Sequence, residues 1–160
     1  MRKVKPDVLL FAGTAADLRD LLPLLGQPGL AVLCGEDGLS GLGSGATSNP
    51  VFGVSAYASD VDTPEAKAFR EQYRKTFSEE PDVHAALAYD SARLIFEALR
   101  QAGENHGARE LQEKLAALKD FPGLTSSLSF GTERQVHRPA FVVRLENGQA
   151  HMLRRFEPQP

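Results

Sequence analysis

The chain has 160 residues, 42% of them hydrophobic and 24% charged, with a net charge of −3 and a pI near 5.8. That length allows one domain with a real core or two small lobes, at a composition ordinary for globular proteins. The acidic balance and scattered basic residues argue against nonspecific nucleic-acid binding, which needs clustered Lys and Arg against phosphate. No apolar run approaches the roughly 18–20 residues of a membrane span.

Residues 1–7 are positively charged, but Pro6-Asp7 interrupts the apolar region a signal peptide needs, and no small-residue cleavage site follows. The chain as read carries no address for export. Val8-Leu9-Leu10-Phe11-Ala12 is a continuous apolar run and predicts a strand buried on both faces of a parallel sheet. Thr14, three residues before Asp17, is a capping-box variant that opens a helix reaching about Leu25, with Gly26 as its stop and Pro23 kinking or shortening it. Leu30-Ala31-Val32-Leu33 is the next buried strand, completing a βαβ unit. Cys34 is the single cysteine, so no internal disulfide forms, and a buried free thiol is the plain reading.

Residues 35–50 are rich in Gly and Ser and predict a loop. Residues 51–57 read as a strand ending in polar residues. Thr63-Pro64-Glu65 supplies the cap, the proline and the acidic residue of a helix start, and Phe69, Tyr73 and Phe77 follow at helical spacing as one buried stripe. Pro81 then breaks the chain and Asp82 caps a long helix, in which Val83, Ala86, Leu87, Leu94, Ile95, Ala98 and Leu99 predict one broad buried face. A further helix is expected over residues 108–119, followed by β-patterned segments at 127–130 and 140–145. Asn147-Gly148 marks a type I′ hairpin to the strand at 149–153, because both residues tolerate positive φ. The order β-α-β-β-α-α-α-β-β-β is an α/β layout with a terminal antiparallel hairpin.

No catalytic constellation emerges. His84, His106, His137 and His151 have no metal-ligand rhythm, and a lone cysteine completes no zinc site. Gly41-Leu42-Gly43-Ser44-Gly45 lacks the Gly-Lys-Ser/Thr of a phosphate loop. Glu36-Asp37 are adjacent, and neighbours in sequence rarely enter one site together, so a binding carboxylate or a solvated loop pair outweighs a catalytic dyad. No metal, cofactor or enzymatic activity is expected.

The ordered set Lys5-Pro6-Asp7-Val8-Leu9-Leu10-Phe11-Ala12-Gly13, Leu33-Cys34-Gly35-Glu36-Asp37-Gly38, Val51-Phe52-Gly53-Val54, the proline-entered helix with Tyr89-Asp90-Ser91-Ala92, and Leu124-Thr125-Ser126-Ser127-Leu128-Ser129-Phe130 with Arg138-Pro139 resembles the type I periplasmic-binding fold. The likeness is to the branched-chain amino-acid (Leu/Ile/Val) binding proteins of ABC transporters, and to their C-terminal portion. The resemblance implies a partial type I fold with three segments: residues 1–57 as a second-lobe βαβ layer with the Gly-rich loop, 58–122 as a helical first-lobe-like segment, and 123–160 as strands returning to the second lobe. It implies a free amino acid clamped between lobes, delivery to a membrane permease, and a periplasmic or extracellular location. Asp37 takes the role of the carboxylate facing the ligand ammonium, with Glu36 as the competing register. Thr14 falls where a pocket-lining residue follows the earlier strand, and His84 falls where the family has an aromatic against the ligand side chain.

The family is about twice this length, so the expected helices lack part of the layer on which they would pack. Even ~500 Å² of wet apolar surface would cost ~12 kcal/mol at about 25 cal/mol/Å². A homodimer, with exchanged helices as one route, is therefore expected. The competing reading is a truncated relative that binds no amino acid and acts as an oligomeric interaction or regulatory module.

Overall fold

The computed structural model describes residues 5–43, 48–104, 107–130 and 135–157; His106 and part of the Gly/Ser stretch lie outside these. The described chain forms two compact units, one of the residues up to Asp60 with Ala140–Phe156, the other of Val61–Pro139.

The first unit is built on a five-stranded sheet in the order β1 (Val8–Phe11), β2 (Ala31–Cys34), β3 (Val51–Ser55), β7 (Ala140–Glu146), β8 (Gln149–Phe156). β1, β2 and β3 are parallel, and β7 and β8 close the sheet antiparallel. The registers Val32↔Val51, Gly53↔Val143 and Ser55↔Phe141 align one face, and its side chains are buried. Helix α1 (Ala15–Leu21) and the short α2 (Glu36–Leu39) belong to this unit. The capping box at Thr14–Asp17 opens α1, and Pro23 converts its end into a 3-10 turn, Leu22–Leu24, with Gly26 at φ +60°. Asn147 and Gly148 sit at φ +51° and +80° in the β7–β8 turn, as a type I′ hairpin requires.

Two expectations for this unit are corrected. β1 is not buried on both faces: it is the sheet edge, with Val8 55% and Leu10 74% exposed. The register Leu10↔Leu33 puts Leu33 and, two strands on, Val54 on that same uncovered side. The apolar run correctly marked a parallel strand, but no layer of the described chain covers its outer face. The Gly/Ser-rich stretch also does not begin as a loop. Glu36–Leu39 is a helical turn, because Gly38 and Leu39 pack inward and a Cβ at Gly38 would sit 2.8 Å from that of Cys34.

The second unit contains α3 (Pro64–Phe77), α4 (Val83–Ala102), α5 (Ala108–Ala117) and a small antiparallel sheet of β4 (Phe121–Pro122), β5 (Ser127–Phe130) and β6 (Val136–His137). Thr63 and Asp82 cap α3 and α4 through bonds from Ala66 N–H and Ala85 N–H. The core joins Leu94 and Ala98 of α4 to Leu118 and Leu128, with Leu111, Leu115 and Phe121 packed against them. The aromatic stripe of α3 is buried at one end only. Phe69 is inside, whereas Phe77 is 59% exposed, though successive ring centroids remain 5.7 and 4.6 Å apart. The single broad face expected of α4 is in fact two. Val83, Ala86, Asp90, Leu94 and Ala98 are buried, while Ile95 lies on the exposed opposite side with Phe96.

Candidate functional site

In parallel sheets, ligand-handling residues gather in the loops beyond the carboxyl ends of the strands, where side chains need not fill the core. In the first unit those ends are Gly13-Thr14 after β1, Gly35-Glu36-Asp37 after β2 and Ser55-Ala56-Tyr57 after β3. Three of the four expected site residues, Thr14, Glu36 and Asp37, therefore lie along one edge. The fourth, His84, is exposed on the first turn of α4 in the other unit.

Each has a distinct local job. Thr14 is exposed, and its hydroxyl donates to Asp17 Oδ2 at 2.7 Å while accepting the Asp17 N–H. These bonds from Thr14 hold the Asp17 carboxyl below its ordinary range. Half-buried Glu36 accepts the Ala56 N–H at 3.1 Å and so ties the end of β2 to the end of β3. Asp37, next in sequence, is exposed on the first turn of α2. An acidic residue there also favours the helix start electrostatically, which is its plain structural role. The sequence reading had no account of the Glu36–Ala56 bond, which depends on β2 and β3 being neighbours.

Cys34, beside this edge, is buried, its thiol donating to Phe52 O at 3.5 Å, and burial pushes its pKa up to about 11. It is a packed thiol rather than a nucleophile. Among the described residues no cluster of His, Cys, Asp and Glu could hold a metal ion. A cavity of about 490 Å³ opens elsewhere, lined by Arg19, Gln27, Asn49 and Leu145 among others. Gln27 and Asn49 precede β2 and β3, so this cavity lies at the amino ends of the strands, opposite the Thr14–Asp37 edge. Asn49 closes that end structurally, donating to Gln27 O and Leu30 O.

A family model described as "Periplasmic binding protein" matches residues 1–150. Among solved structures, the isoleucine complex of the branched-chain amino acid transporter substrate binding protein LivJ from Streptococcus pneumoniae is 24% identical with a TM-score of 0.78, covering 99% of this chain and 47% of its own. The leucine binding protein LivK from Thermotoga maritima is 20% identical with a TM-score of 0.76, covering 96% and 45%. A solute binding protein of an ABC transporter from R. palustris, in complex with benzoate, is 22% identical with a TM-score of 0.82, covering 96% and 44%. The chain thus has the architecture of part of these folds and spans about half the length of the structures it matches.

Proposed function

This chain belongs to the periplasmic binding protein family, and we propose that it forms the C-terminal portion of a solute-binding component serving an ABC transporter for branched-chain or related amino acids. The supporting observation is the row of polar groups along the carboxyl ends of β1 to β3, with Asp37 exposed and Glu36 engaged by Ala56 N–H. In this reading Asp37 faces the ligand ammonium and Thr14 lines the pocket, and His84 keeps the role that the family resemblance gives it, the residue against the ligand side chain. A carboxylate at this edge favours a ligand with an ammonium group over a simple aromatic acid such as the benzoate bound by one neighbour, because two carboxylates in one site repel. The partner is a membrane permease and the working location is extracytoplasmic.

The test is calorimetry and thermal shift against leucine, isoleucine, valine and benzoate. A charge-assisted hydrogen bond contributes roughly 1.5–3 kcal/mol, so Asp37→Asn is expected to weaken amino-acid binding by at least about tenfold. Glu36→Gln tests the competing register. Undiminished affinity in Asp37→Asn rejects Asp37 as the ammonium partner. No shift with any amino acid favours the second reading, an interaction module without a ligand, which draws on the uncovered outer face of α4.

A further inference from the structure

α2 has four residues, Glu36–Leu39, too few to be stable through its own hydrogen bonds. What holds it is tertiary. A Cβ on Gly38 would lie 2.8 Å from that of Cys34 and 3.5 Å from Gly13 O, so the turn rests against the end of β2 and the residue after β1. Leu39 is buried over β3, where a Cβ on Gly53 would lie 2.6 Å from Leu39 Cδ1. Glu36 Oε2 accepts the Ala56 N–H at 3.1 Å and fastens the start of the turn to the residue after β3. Gly38 and Leu39 are buried and Glu36 is half-buried, which leaves Asp37 as the exposed residue of α2.

These anchors differ in kind. Those at Gly38 and Leu39 are packing contacts, which tolerate some sliding, whereas a hydrogen bond weakens steeply once its angle is lost. The directional anchor sits on the residue immediately before Asp37. We propose that Glu36 is a positioning residue for Asp37: its bond to Ala56 N–H fixes the orientation of α2 and so holds the Asp37 carboxylate in one place before a ligand arrives. A carboxylate carried on a loose turn has to be ordered on binding, at a cost in affinity. This deepens the amino-acid reading and rests on it for the ligand, though not for the hold on α2.

The experiment compares Glu36→Gln, Glu36→Ala and Glu36→Asp by amide exchange in the ligand-free protein and by calorimetry with leucine, isoleucine and valine. Gln keeps a side-chain carbonyl at the same reach and should leave both readouts within about threefold of the wild type. Ala removes the acceptor, and Asp keeps the charge but is one methylene shorter. Each should speed exchange at Ala56 and residues 36–40 and weaken amino-acid binding by about tenfold. Glu36→Asp carries the test if Glu36→Ala fails to fold. In an Asp37→Asn background Glu36→Ala should cost little further affinity, because the group it positions has already lost its charge, whereas independent losses would add. Glu36→Gln binding as weakly as Glu36→Ala makes Glu36 itself the ammonium partner and overturns the proposal. Unchanged exchange in Glu36→Ala also overturns it, as does a loss of affinity that is fully additive with Asp37→Asn. A wild type that binds none of the three amino acids rejects the amino-acid reading, and the exchange data alone then decide whether Glu36 holds α2.

Discussion

Asp90 is a buried carboxylate on the inner face of α4, 3% exposed, with both oxygens accepting the Leu124 N–H at 3.1 and 3.2 Å. Arg93 lies 3.9 Å away and donates to Pro122 O, and the Thr63 hydroxyl donates to Leu124 O. The segment before β5 is therefore held from α4 and from the start of α3. Burial raises the Asp90 carboxyl above its ordinary 3.8, against the opposing effects of the Leu124 N–H and Arg93. The folded state then binds the proton more tightly than the unfolded chain, so this group's contribution to stability is greatest below the ordinary value and falls as pH rises through the raised one. Urea unfolding should show this loss in the wild type and not in Asp90→Asn, whose side-chain carbonyl still accepts the Leu124 N–H. Asp90→Ala leaves that N–H unpaired and should cost about 1–3 kcal/mol at neutral pH. A wild-type profile that matches Asp90→Asn across the acid range would reject the assignment. None of this was legible in the sequence, where Asp90 is one polar residue among helical neighbours. Thr14, by contrast, was placed as a helix cap from its spacing to Asp17, because a capping box closes within one turn.

Elements whose signals are local matched their sequence reading. The α3 and α4 caps, the Pro23 break and the Asn147-Gly148 turn each depend on a few adjacent residues. Elements defined by what lies across from them did not. α2 exists because the chain after Cys34 packs back onto the sheet: a Cβ on Gly53 of β3 would lie 2.6 Å from Leu39 Cδ1 and 2.8 Å from Cys34 O. One of those atoms is backbone and cannot swing aside. Gly53→Ala is expected to cost about 1–3 kcal/mol and to loosen α2, measured by denaturant unfolding and by amide exchange at residues 36–40. Unchanged stability would mean that α2 is not held against β3. The same distinction applies to the Gly-rich stretch, since glycine marks both flexible loops and places where backbone must approach closely.

At the scale of the whole chain, two apolar surfaces stand open in the described residues, the outer side of β1 to β3 and the outer stripe of α4. β1 and β2 on the first surface, and Ile95 and Leu99 on the second, read from the sequence as buried, and for one reason: a hydrophobic pattern records that a residue is suited to burial, not which layer buries it. Leu10, 74% exposed on the edge strand, tests this directly. Leu10→Lys should change unfolding free energy by no more than about 0.5 kcal/mol and improve solubility, because it adds a charge to an open edge and removes no packing. A loss of several kcal/mol would show that another layer covers β1 in solution.

The sequence by itself determined the α/β class, the parallel β1–β2 unit, the capped helices, the closing hairpin and the family likeness, because each rests on periodicity, turn chemistry or residue order along the chain. Only the tertiary structure decided which apolar faces are covered, that Glu36 is occupied by Ala56 while Asp37 is exposed, and that Asp90 holds Leu124. Those facts arise from contacts between residues about 20 to 34 positions apart, and no local pattern of residue types encodes which distant partner a side chain will meet.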